Sequence, residues 1–137
     1  MNCIRILLSL LVTTGAYFQV NQQITSALSD ESKIVVDGLL NIWASYAMLL
    51  MCPYLALDAA KKQLALRFPI GEINRVLLVM GAIIAPLLAI GTYVQSKTNV
   101  ADYIECKSER KLSSRYSSRT YVQTEELCLA LKNKDAR

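Results

Sequence analysis

The sequence predicts an all-α membrane protein, with three transmembrane helices followed by a small C-terminal segment bridged by a disulfide. Three observations predict it. Residues 38–57 and 76–96 carry no charge, and each run has about the 20 residues that an α-helix needs to cross a hydrocarbon core of about 30 Å. Residues 6–29 are a third uncharged run. Charge is also segregated: apolar residues make up 53% of the chain, yet nine of its fifteen Lys and Arg lie in residues 97–137. A soluble domain would interleave polar and apolar residues at helix or strand period. Residues 1–96 are therefore read as a membrane domain, with helices at about 4–24, 34–57 and 74–96, and residues 97–137 as a polar extramembrane segment.

The first helix follows a single Arg5 and is most apolar over residues 6–20. It resembles a signal sequence at its start, but its apolar character runs past the weak cleavage region at Tyr17 and Phe18, so an uncleaved helix is expected. The connection at residues 21–33 is polar. Asp30 and Glu31 suit the N-terminus of a second helix starting near Ile34, and Ser29 or Asp30 would cap it.

That start places Asp37 one turn inside the second helix. An intramembrane carboxylate is a functional candidate, while a wet position at headgroup level is the ordinary alternative. Asn41 and Ser45, four apart, share a face with hydrogen-bonding capacity toward a neighbouring helix. The link that follows carries Lys61, Lys62, Arg67 and Arg75, a positive-inside signature, and is expected to break at Pro69 to Gly71. In the third helix Gly81, Ala85 and Ala89 repeat every four residues and offer a small-residue face for close helix packing. Pro86 adds a bend. Counting bases near the membrane gives five against four, which leaves the orientation open.

The tail is patterned. Thr124 reads as an N-cap, Glu125 and Glu126 occupy the first turn of a helix, and Lys132 and Lys134 its last. Tyr121 and Val122 belong to a short strand-like run. About forty residues bury too little apolar surface to fold well alone. A disulfide between Cys106 and Cys128 would contribute about 3 kcal/mol by restricting the unfolded chain, and disulfides persist in the periplasm. Two separate free thiols are the alternative.

Several function classes are disfavoured. The chain has no histidine, which removes the commonest general base and transition-metal ligand. No nucleophile is paired with a base and no phosphate loop occurs, so neither catalysis, a cofactor nor a metal is expected. A net charge of +4, with acids mixed among the bases, points away from nucleic acid.

The string YIECKSERKLSSRYSSRTYVQTEELC resembles the C-terminal signature of a family of small enterobacterial inner-membrane proteins without an established activity. The resemblance rests on Cys106, Ser117, Ser118, Thr120, Tyr121, Val122 and Cys128. In architecture alone, several short helices with a small outside segment are similar to toxin and bacteriocin immunity proteins. The family resemblance implies a protein of the bacterial inner membrane, the apolar runs make it multi-pass, and the expected disulfide makes the tail periplasmic. The expected partners are the lipid bilayer and a protein. The expected function is binding and neutralising a membrane-acting toxin, with Arg110, Arg115, Arg119, Tyr121, Glu125 and Glu126 as contacts; these side chains equally fit an ordinary solvated surface. The alternative is an accessory subunit or small channel component of a membrane complex.

Overall fold

The computed structural model describes residues 2–65, 71–113 and 116–135. Helix α1 spans Asn2–Leu28, α2 spans Leu39–Leu64, and a third rod runs from α3 (Ile73–Val79) through a π-helical turn (Met80–Ile84) into α4 (Ala85–Asn99). All three rods are long and apolar enough to cross a membrane. Large apolar side chains cover their surfaces; Leu11 and Leu40 are each 73% exposed. Water-soluble proteins rarely expose apolar surface on this scale, whereas lipid tails cover it at no cost. The chain has the make-up of a multi-pass membrane protein.

One expected helical turn is replaced. Lys33–Asp37 forms strand β1, and α2 begins only at Leu39. Ile34, Val35 and Val36 are β-branched and stiff at χ1, which favours a pleated strand over a helix. Ile34 and Val36 are buried, while Val35 between them is exposed. Asp37 therefore stands at the end of a strand and not one turn inside a helix, and Asp30 and Glu31 precede that strand. The fold is mostly helical but not all-α.

The chain divides into two compact units, residues 1–21 with 43–89 and residues 22–42 with 90–137. The first is helical. Its Ala85 and Ala89 are fully buried, and a Cβ on Gly81 would stand 3.1 Å from the Met51 sulfur. The small-residue stripe is thus occupied within the chain.

The bend expected from Pro86 takes the form of the π turn, because its ring cannot sit against the carbonyl four residues earlier in α geometry. The widened turn has a local consequence. The Ala85 N–H donates to the Met80 carbonyl, and residue 86, the next donor along, is a proline without an N–H. The Gly81 carbonyl is left with neither helical donor, and the Trp43 indole supplies one at 2.9 Å. In a membrane span such pairing matters, since no water is at hand.

The second unit is built on an antiparallel sheet. Its central strand is β4 (Ser117–Val122), with β1 along one edge and the two-residue strands β2 (Ile104–Glu105) and β3 (Lys111–Leu112) along the other. Ile34 faces Tyr121 and Asp37 faces Ser118 across the β1–β4 pair. Ile34, Val36, Val100 and Tyr121 form the core, with Tyr93 and Tyr103 packed against it. Helix α5 (Glu125–Asp135) closes the unit, and the expected disulfide joins it: Cys106 is bonded to Cys128. Cys106 is fully buried, and its N–H donates to the Thr120 carbonyl at 2.9 Å.

Candidate functional site

The polar groups of the second unit converge where β1 hands over to α2. Gly38 makes the handover possible. Its N–H donates to the Ser117 carbonyl at 2.8 Å, and a Cβ there would run into the Ser117 hydroxyl. The Asn41 amide donates to the same carbonyl at 3.0 Å. The first turn of α2 is thereby fastened to β4, and Asp37 is fixed just ahead of it. Asn41, a group with hydrogen-bonding capacity toward a neighbouring helix in the sequence reading, bonds to strand β4. Ser45 is 2% exposed within α2.

Asp37 accepts one hydrogen bond on each oxygen. Gln23 Nε2 donates to Oδ2 at 3.0 Å, and the Tyr116 hydroxyl donates to Oδ1 at 3.1 Å. These groups line a cleft of about 290 Å³ together with Gln22, Ser26 and Ser96. Burial raises the pKa of the Tyr116 phenol, and the Asp37 charge and hydrogen bond raise it further against an opposing contribution from Ser118. Tyr116 is held as a hydrogen-bond donor.

A second cleft, of about 190 Å³, also reaches Asp37 and is lined by Lys97 and Arg119. The Lys97 ammonium donates to the Tyr121 hydroxyl at 2.6 Å. It also stands 4.9 Å from the centre of the Tyr121 ring and 5.9 Å from that of Tyr93, within cation–π range. Tyr121, expected as a surface contact, is 7% exposed and is a core residue.

The remaining expected contacts are dispersed. Arg110 and Arg119 each approach a Glu105 oxygen at 3.9 Å, an ion-pair distance beyond hydrogen-bond length. Glu125 and Glu126 are exposed in the first turn of α5. Arg115 lies outside the described residues, as does the break expected at Pro69. Among the described residues no group of three His, Cys, Asp or Glu is arranged to hold a metal ion.

The sequence reading singled out Asp37 but not the company it keeps. Gln23 and Tyr116 are 14 and 79 residues away from it, so only the tertiary fold joins them. The available signals were the glutamine pair Gln22 and Gln23 at the end of an apolar helix, and a lone tyrosine among the serines near Tyr116.

No curated protein and no solved structure matches the chain. Residues 33–129 match the model of a family described as "Protein of unknown function (DUF1240)". The match starts at the first residue of β1 and ends within α5, so it includes the whole sheet, both bridged cysteines and Asp37. With most of its length in that match, the chain belongs to this family.

Proposed function

We propose that the protein is a binding protein of the bacterial inner membrane, an immunity or inhibitor protein that neutralises a toxin acting at that membrane. Its bridged unit would face the periplasm. The observation that carries this reading is the union of three apolar rods with a disulfide-bridged unit, since a bridge of this kind persists in an oxidising compartment. Chain connectivity agrees. Residues that pair in one sheet come from the connection between the first two rods and from the segment after the third, and three crossings put both on the same side.

The stripe of Gly81, Ala85 and Ala89 is filled internally, which moves the contact surface to the outer unit. Arg110, Arg119, Glu125 and Glu126 are the candidates there. Deleting the gene should sensitise cells to one membrane-acting toxin, and charge reversal at Glu125 and Glu126 should weaken protection while the protein still accumulates. Unchanged sensitivity to every toxin produced by the same or neighbouring strains would contradict the proposal.

The second reading, an accessory subunit, draws on the polar clefts at Asp37, which suit an assembly or ion-conducting role better than an inert surface. It requires a constant membrane partner in stoichiometric amount on purification under toxin-free conditions.

A further inference from the structure

We infer that the cleft at Asp37 binds a primary ammonium group, of the kind carried by an ethanolamine lipid headgroup or a free alkylamine. The inference stands apart from toxin neutralisation and does not depend on it.

The argument begins with hydrogen-bond capacity. Asp37 is half-buried and is met by two neutral donors, Gln23 and Tyr116. Among the described residues no Lys or Arg nitrogen lies within 4.0 Å of it. Each carboxylate oxygen keeps further acceptor capacity. Two of the three hydroxyl groups that line the cleft, those of Tyr116 and Ser96, are committed in the same sense. Tyr116 directs its proton to Asp37, and Ser96 directs its own to the Thr92 carbonyl at 2.8 Å. Both oxygens line the cleft with only lone pairs left to offer. A negative, acceptor-rich cleft is complementary to a cation with several N–H donors, and an alkylammonium supplies three.

Size and depth narrow the ligand. A volume of about 290 Å³ is at the small end for ligand sites and admits a headgroup-sized molecule. Gln23 and Ser26 lie in the last turns of α1, Asp37 lies two residues before α2, and Ser96 lies in the last turn of α4. In a membrane these positions share one interface, the level at which lipid headgroups sit. The adjoining cleft also reaches Asp37 and is lined by Lys97 and Arg119, so a phosphate linked to the ammonium has cationic neighbours.

The test uses the full chain in phosphatidylcholine nanodiscs, titrated with ethanolammonium chloride while thermal unfolding is followed. Choline, which has the same charge but no N–H, and calcium chloride serve as comparisons. Saturable stabilisation by ethanolammonium is expected, weaker for choline by about tenfold or more and lost in Asp37→Asn. Native mass spectrometry from mixed bilayers should then show phosphatidylethanolamine retained on the wild type in preference to phosphatidylcholine if the ligand is lipid-borne. Saturation by ethanolammonium without lipid retention assigns a soluble amine. Equal responses to ethanolammonium and choline, a response to calcium alone, or no response to any of them overturns the proposal. Undiminished binding by Asp37→Asn overturns it too. Should that variant fail to fold, the comparison of ethanolammonium with choline on the wild type decides by itself.

Discussion

The Tyr116 phenol and the Asp37 carboxylate form the most informative pair of side chains in the molecule. Burial, the neighbouring negative charge and the bond to Asp37 all favour the protonated phenol. Its pKa is therefore raised from the ordinary value of about 10. A raised folded-state pKa contributes stability that is fully present below the unfolded value and is lost as pH rises through the folded one. Spectroscopic titration of the folded protein should contain a late-ionising component from Tyr116, and Tyr116→Phe should remove that component. Asp37→Asn should shift it back down by removing the charge. A titration unchanged in both variants would mean that the pair does not form. Asp37 was legible in the sequence as a carboxylate beside an apolar run. Its setting was not, because hydropathy describes neighbours along the chain and Tyr116 arrives through a sheet.

The same limit operates on whole elements. The three apolar rods were legible because length and absence of charge are sufficient evidence for a span. The tail helix was also legible, with acids at its start and lysines at its end. Strand β1 was not, since Ile34, Val35 and Val36 adjoin an apolar helix and merge with it in any hydropathy window. Its pairing partner β4 begins eighty residues after Asp37, at Ser117. The β-branched run ended by Gly38 was the one local sign of it.

The π turn was foreshadowed only as a bend at Pro86. Its consequence can be measured. Trp43→Phe should destabilise the α2–α3/α4 packing by about 1–3 kcal/mol, the cost of leaving a carbonyl unpaired in a span where no water can replace the indole. Adding Pro86→Ala, which restores a backbone N–H, should recover part of that loss in unfolding experiments in detergent. Strict additivity of the two substitutions would show that the indole does not serve the carbonyl freed by the proline.

At the scale of the whole molecule, the sheet constrains how the chain crosses a membrane. β1 follows the first rod, β2 to β4 follow the third, and they hydrogen-bond to one another. With three crossings these segments share a side, and the link holding Lys61 and Lys62 lies on the other. The orientation we propose puts the link's bases on the cytoplasmic side, where positive charge accumulates, and the bridged cysteines where oxidation is sustained. The count of bases along the sequence left this choice open; the disulfide closes Cys106 to Cys128 over 22 residues and favours one answer. The measurement that tests it most directly is a compartment-sensitive reporter fused after Arg137, combined with thiol labelling of intact cells before and after reduction. The account predicts a periplasmic reporter signal, with Cys106 and Cys128 labelled only after reduction. A cytoplasmic signal with both thiols free would contradict the proposed topology, and the immunity reading with it.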